Sequence, residues 1–112
     1  MTRITTHVLD TGRGTPAARL SVSLARSTLE GWRDVAAAAT GDDGRTANLV
    51  PGDAPGEAGV YRLRFELGDY FGRQGSATFY PYVDVVFTAE ADGHYHVPLL
   101  ASPFGYTTYR GS

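Results

Sequence analysis

The chain has 112 residues, a formal net charge of −2 at pH 7 and 20% charged residues, values of an ordinary soluble domain rather than of a nucleic-acid-binding protein. It contains no cysteine, which excludes disulfides, thiol nucleophiles and cysteine-ligated zinc. All ten basic residues are arginine, which also excludes Schiff-base chemistry on lysine.

The length predicts one domain over residues 1–112. No apolar run approaches the roughly 20 residues that span a bilayer. Residues 1–7 also lack the apolar region of a secretory signal. We therefore expect a cytoplasmic protein without a membrane partner.

Hydrophobic residues recur mostly with a period of two, which indicates β-strands. In strand 19–26, for example, Leu20, Val22 and Leu24 are expected to face inward. The short alanine run 36–39 is too brief to stand as a helix, so it is assigned to a strand. In chain order, the predicted strands span residues 4–9, 19–26, 30–38, 60–67, 82–89, 95–101 and 105–110.

Turn-forming residues separate these strands. The first turn spans residues 10–16, and Gly41-Asp42-Asp43-Gly44 forms a tight turn before Arg45. Residues 51–59 form a loop rich in proline, glycine and acid. Asp69 is expected to cap one short helix that continues to Arg73.

Seven or eight short strands at hairpin spacing, with one short helix, predict an all-β protein with an antiparallel β-sandwich. Pro98 conflicts with a continuous central strand, because proline cannot donate to the ladder. Either the strand 95–101 lies at a sheet edge, or a bulge or gap interrupts it at Pro98.

Histidines are the first candidates for chemistry. Alternation places His94 and His96 on one face of their strand, and His7 shares a face with Leu9. If the two strands pair, His7 and His96 converge and can serve as acid and base in hydrolysis. Alternatively, each histidine is a hydrogen-bonded surface residue, which is the interpretation we adopt for His94. A metal site built from His94, His96 and His7 lacks a carboxylate ligand nearby in sequence.

Arg45 and the last four residues also carry two interpretations. Arg45 is either a solvated turn residue or a guanidinium that holds an oxygen-rich planar ligand. The final strand leads directly into Tyr109-Arg110-Gly111-Ser112, which is either a polar cap or a set of hydrogen-bonding groups delivered to a fixed place.

Several segments, in order, make the whole chain similar to the transthyretin-like family, which includes the 5-hydroxyisourate hydrolases. The ending is the signature of these hydrolases, whereas transthyretin, a thyroid-hormone carrier, lacks both the ending and the histidines. The matching segments are Thr6-His7-Val8-Leu9-Asp10, Gly14-Thr15-Pro16-Ala17, Gly44-Arg45-Thr46, Tyr82 to Phe87, His94 to Tyr106 and Tyr109-Arg110-Gly111-Ser112.

This resemblance implies a transthyretin-like (prealbumin-like) two-sheet sandwich that assembles as a homotetramer, a dimer of dimers, with active sites at the dimer–dimer interface. It implies hydrolysis of 5-hydroxyisourate to 2-oxo-4-hydroxy-4-carboxy-5-ureidoimidazoline in urate degradation, without a metal or organic cofactor. It assigns catalysis to His7, Arg45, His96 and Ser112. The residues implied to bind substrate are His7, Arg45, Tyr109, Arg110 and Gly111.

Two other functions remain open from the sequence. One is a non-catalytic carrier of a small aromatic ligand, which leaves the histidines and the ending without a role. The other is a structural or metal-binding sandwich that uses His94 and His96. The identity of the general base, His7 or His96, and the role of Ser112 as nucleophile or ligand also remain open.

Overall fold

The computed structural model describes residues 2–51 and 58–112. Most of the predicted loop 51–59 therefore lies outside the described residues. The described chain contains one helix, α1 (Leu67–Gly72). Its strands are β1 (Arg3–Thr5), β2 (Val8–Asp10), β3 (Thr15–Pro16), β4 (Ser21–Thr28), β5 (Gly31–Ala39), β6 (Gly59–Phe65), β7 (Val83–Ala89), β8 (His94–His96), β9 (Leu99–Ser102) and β10 (Gly105–Thr108).

The strands form a two-layer sandwich, as the sequence predicts. One layer is a four-stranded antiparallel sheet in the order β5-β4-β6-β7. The other contains a sheet in the order β10-β9-β2-β3, extended by the pair β1-β8. In this second layer β1 pairs with β8, and β2 with β9, in parallel. The layer that carries the histidines is therefore mixed, whereas the prediction was of an antiparallel sandwich.

The core lies between the two layers and follows the predicted alternation. Ile4, Val8 and Leu99 contribute from one layer, and all three are fully buried. Leu24 and Leu63 meet them from the other layer and are equally buried. Because alternate residues fill the core, the residues between them lie on the outer face of the sheet.

Pro98 accounts for the division of two predicted strands. The strand expected over 95–101 is interrupted between His96 and Leu99, and the strand expected over 4–9 is interrupted opposite it. Proline has no N–H for the ladder, and the Pro98 carbonyl accepts a hydrogen bond from the Thr108 hydroxyl at 2.7 Å. The gap that the sequence offered as one alternative is confirmed.

The helix begins earlier than predicted. It starts at Leu67 with Glu66 at the N-cap position, and no side chain caps it. Asp69, the predicted cap, lies in the first turn and is ion-paired with Arg73 at 3.6 Å. Burial of Leu67, Tyr70 and Phe71 decides the register of this helix, because an apolar face outweighs a single cap.

Two smaller differences concern strands. The sequence assigned residues 10–16 to a turn, but Thr15–Pro16 forms the edge strand β3 against β2. The last strand ends at Thr108, two residues before the predicted end, and this frees the following residues to leave the ladder. Within the described part of the chain, no helix is long and apolar enough to cross a membrane.

Candidate active site

Two backbone hydrogen bonds carry the parallel ladder across the Pro98 gap and set the positions of the histidines. Val97 donates its N–H to the Thr5 carbonyl at 2.9 Å, and Leu99 donates to the His7 carbonyl at 3.0 Å. His96 is the register partner of Thr5. The two predicted catalytic histidines are therefore neighbours across this ladder, His96 in β8 and His7 in the gap between β1 and β2. Both are half-buried on the outer face of the sheet.

A tight turn brings Arg45 beside His7. Gly44 adopts a φ of +79°, which favours glycine, and a β-carbon there would collide with the Val8 carbonyl oxygen. The Gly44 carbonyl in turn accepts the Val8 N–H at 2.8 Å. With the turn fixed in this way, Arg45 forms an antiparallel bridge with His7, and its side chain is exposed.

The tail, defined as residues 109–112, returns to the sheet beside the second histidine. Gly111 forms an antiparallel bridge with His96 and donates its N–H to the His96 carbonyl at 2.7 Å. A β-carbon on Gly111 would lie 2.6 Å from Cδ2 of the His96 ring. The tail backbone therefore packs directly on the imidazole, next to the Nε2 edge.

The surroundings of His96 favour its neutral imidazole. Burial lowers the pKa of His96, and the positive charges of Arg45, His94 and His7 lower that pKa further. The Thr5 hydroxyl lies 2.8 Å from Nδ1 of the same ring. The Thr5 contact therefore engages Nδ1 of His96 and leaves Nε2 as the ring nitrogen for other chemistry.

Arg110 does not join the histidines. Its guanidinium lies 4.7 Å above the ring of Tyr95, a core residue on the opposite face of the sheet from His96. Both Arg110 and Tyr109 line a cavity of about 200 Å³, together with Val85 and Phe87. Among the predicted site residues, the structure brings together His7, Arg45, His96 and Gly111; Ser112 is exposed, and Tyr109 and Arg110 lie toward the inter-sheet cavity.

Sequence reasoning missed Thr5. Its hydroxyl contacts two histidines, His94 and His96. The alternation already places Thr5 on the same outer face as His7, which is the sequence signal that could have drawn attention to it. His94 is exposed and hydrogen-bonded to the same hydroxyl, which confirms the sequence interpretation of this histidine. Within residues 2–51 and 58–112, no three histidine or carboxylate side chains converge as metal ligands.

Comparison with known proteins gives consistent matches over the chain. The sequence model of the HIUase/Transthyretin family matches residues 4–111. The 5-hydroxyisourate hydrolase of Deinococcus radiodurans is 45% identical over 113 residues, covering 97% of this chain and 95% of that protein. The structure of Klebsiella pneumoniae 5-hydroxyisourate hydrolase superimposes with a TM-score of 0.88 at 37% identity, covering 100% of both chains. Sea bream transthyretin in complex with thyroxine gives a TM-score of 0.90 at 36% identity, covering 97% of this chain and 94% of that one.

Proposed function

Because the chain belongs to the HIUase/Transthyretin family, we propose that it is a 5-hydroxyisourate hydrolase of urate degradation. The observation that carries the proposal is a cluster on one sheet face, in which Arg45 bridges to His7 and Gly111 bridges to His96. His7 and Arg45 are close enough to act electrostatically on His96. The relatives include both a hydrolase and a hormone-binding transthyretin with nearly the same fold, so the fold alone does not separate the two functions. The two histidines and the tail beside them favour hydrolysis over a carrier.

The proposed reaction is hydrolytic opening of the six-membered ring. Water adds its oxygen to the scissile ring carbonyl, the C–N bond breaks, and the protons of water are shared between the departing nitrogen and the new carboxyl group. One imidazole of the His7/His96 pair removes a proton from the attacking water, an effect typically worth about 10²–10⁴-fold. The neutral state of His96 supports this ring as the base.

Arg45 is proposed to bind and polarise the substrate. The substrate carries several carbonyl groups in a plane, a geometry that suits paired hydrogen bonds from a guanidinium. The same cation stabilises negative charge on the carbonyl oxygen as water attacks. The bridge to His7 supports this role, because it fixes the Arg45 backbone next to one ring of the His7/His96 pair.

The tail is proposed to complete the site at the Nε2 edge of His96. Gly111 supplies the close backbone approach, and Ser112 extends past it as a nucleophile or a substrate ligand. Tyr109 and Arg110 remain proposed substrate-binding residues from the resemblance. Their position at the inter-sheet cavity instead supports a role in holding the tail.

The proposed assembly is a homotetramer, a dimer of dimers, with this face at the dimer–dimer interface. His7, Leu9, His96 and Leu100 are only half-buried in the isolated chain, so a second copy can cover them. Size-exclusion chromatography with light scattering tests this assembly. We further predict one domain over residues 1–112 and a cytoplasmic location, and cell fractionation tests the location.

The direct test follows 5-hydroxyisourate generated from urate by urate oxidase, with and without the protein, by absorbance and by NMR of the product. We expect faster decay than the spontaneous rate and the ring-opened product. His7→Asn and His96→Asn should each remove most of the acceleration, whereas Ser112→Ala should remove most of it only if Ser112 is the nucleophile. A folded protein that binds the substrate or an analogue without accelerating its decay would instead be a carrier.

A further inference from the structure

The Thr5 hydroxyl lies between two imidazole rings. Its oxygen is 2.8 Å from Nδ1 of His96 and 3.0 Å from Nε2 of His94. Thr5 is half-buried on β1, directly across the parallel ladder from His96, and His94 precedes His96 on the same face of β8. Both contacts are therefore consequences of strand register.

A hydroxyl group has a single proton, so these two hydrogen bonds are coupled. If Thr5 accepts the Nδ1–H of His96, its own proton goes to Nε2 of His94. If Thr5 instead accepts an Nε2–H from His94, its proton goes to Nδ1 of His96. In the first arrangement Nε2 of His96 has a free lone pair, and in the second it carries a proton.

We propose that Thr5 is a positioning residue that selects the tautomer of His96, and that the protonation state of His94 sets this selection. In the active arrangement His96 donates from Nδ1 to Thr5, and the proton acceptor is Nε2, which is bonded to the Cδ2 atom that Gly111 approaches. The catalytic consequence rests on the proposed hydrolase function. The tautomer itself does not, because it is a property of the free protein.

Protonation of His94 reverses the arrangement. A protonated imidazole donates from both nitrogens, so Thr5 must accept from His94 and donate to His96. His96 then holds its proton on Nε2 and is no longer a base at that position. The other cationic groups that act on His96 are His7 and Arg45, which disfavour its protonation but form no hydrogen bond with Thr5 that would set the tautomer.

The first experiment is ¹⁵N NMR of the histidine side chains in the free protein, with Thr5→Val and Thr5→Ser as a matched pair. Valine keeps the shape of threonine and removes the hydroxyl, whereas serine keeps the hydroxyl. We expect Nδ1 of His96 to be the protonated nitrogen in the wild type and in Thr5→Ser, and a mixture of tautomers in Thr5→Val. An unchanged tautomer in Thr5→Val would overturn the proposal, even if the protein had no hydrolase activity.

The same spectra followed over pH test the link to His94. As His94 takes up a proton, we expect the proton of His96 to move from Nδ1 to Nε2, with Nδ1 becoming the acceptor. Direct protonation of His96 would instead leave both nitrogens carrying protons. In His94→Ala the exchange of tautomers should disappear, and its persistence would overturn the role of His94.

Kinetics give the second readout. Losing one neutral hydrogen bond should lower kcat roughly fivefold in Thr5→Val, with KM little changed and activity retained in Thr5→Ser. In His94→Ala the acid limb of the kcat/KM profile should move to lower pH, because Thr5 remains free to accept from His96. Equal activity in Thr5→Val and Thr5→Ser, together with an unmoved acid limb in His94→Ala, would contradict the catalytic part alone and leave the hydrolase assignment intact.

Discussion

Gly111 and His96 are in contact through both backbone and side chain. The Gly111 N–H donates to the His96 carbonyl at 2.7 Å, and the space where a β-carbon would stand is occupied by the imidazole ring. The sequence suggested that glycine lets the tail bend inward. Gly111 is not among the residues with positive φ. Its role is close approach to the His96 ring, not access to an unusual backbone conformation.

Substitution of Gly111 by alanine should therefore damage catalysis more than folding. The new β-carbon must displace either the tail or the ring, and a misplacement of about 1 Å can cost on the order of a hundredfold in rate. We expect kcat/KM of Gly111→Ala to fall by about that factor, while circular dichroism and thermal unfolding change little.

Gly105→Ala is the matched control, because its β-carbon would lie 3.8 Å from the Ser102 hydroxyl, an ordinary contact. We expect kcat/KM to fall in Gly111→Ala and to stay at the wild-type value in Gly105→Ala. Wild-type activity in Gly111→Ala would show that the tail is free to leave His96 during turnover.

Gly44 offers a second comparison between two glycines. Gly44 and Gly14 have similar φ values of +79° and +72°, so alanine at either should cost about 1–2 kcal/mol in strain. A β-carbon on Gly44 also meets the Val8 backbone, whereas a β-carbon on Gly14 would have no described residue within 4 Å apart from its chain neighbours. We expect a larger loss of unfolding free energy in Gly44→Ala than in Gly14→Ala.

Activity should follow the same order. Gly44 precedes Arg45, so a shifted turn moves the guanidinium away from His7, whereas Gly14 is remote from the bridge between these two residues. Chemical denaturation and kcat/KM of the two variants check both statements. Equal losses of stability and equal activity would mean that the turn adapts without moving Arg45.

Local pattern was enough to predict most of what places the histidines. The alternation around His7 and His96 determines their face, and the breakers before Arg45 determine its turn. The whole sandwich follows from strands of period two, because each must bury one face. Pro98 marked the interruption of its strand, since a missing N–H is a property of the residue itself.

Long-range packing determined the rest. The contact between Gly111 and His96 joins residues from different elements, and no local preference of a glycine near the tail specifies it. Arg110 lies on the Tyr95 side of the sheet because its guanidinium packs over the ring of Tyr95, which is also a long-range contact. The alternation shows which face Thr5 occupies, but its contact with the histidines depends on the register between β1 and β8. Thr5 was overlooked because no local sequence pattern specifies that register.

The lowered pKa of His96 predicts a specific pH dependence of stability. The folded state resists protonation of this ring and the unfolded state does not, so the unfolded state binds more protons below its ordinary pKa of about 6.5. This contribution is fully present above that pH and is lost as pH falls toward the folded pKa. Denaturation of the wild type and His96→Asn at pH 8 and at pH 5 should show a smaller loss in the variant; identical losses would mean that His96 is not held neutral by its surroundings.

Arg110 tests whether the tail is held from the far side of the sheet. Its guanidinium lies on the Tyr95 ring, and an exposed cation–π contact is worth about 0.5–1 kcal/mol. Arg110→Met keeps an apolar stem and removes the charge, so the tail should leave His96 a few times more often. We expect a few-fold fall in kcat/KM and a few-fold faster release of the last residues by carboxypeptidase.

The matched control is Arg33→Met, because Arg33 is exposed on β5 in the other layer. This variant should change neither kcat/KM nor the rate of release by carboxypeptidase. The two roles of Arg110 predict different patterns. A substrate contact would raise KM strongly and leave the carboxypeptidase rate at the wild-type value, because substrate is absent from that assay. A positioning role lowers kcat/KM and raises the carboxypeptidase rate together. The carboxypeptidase rate of the free protein then measures how firmly the Tyr95 contact keeps Gly111 on the His96 ring.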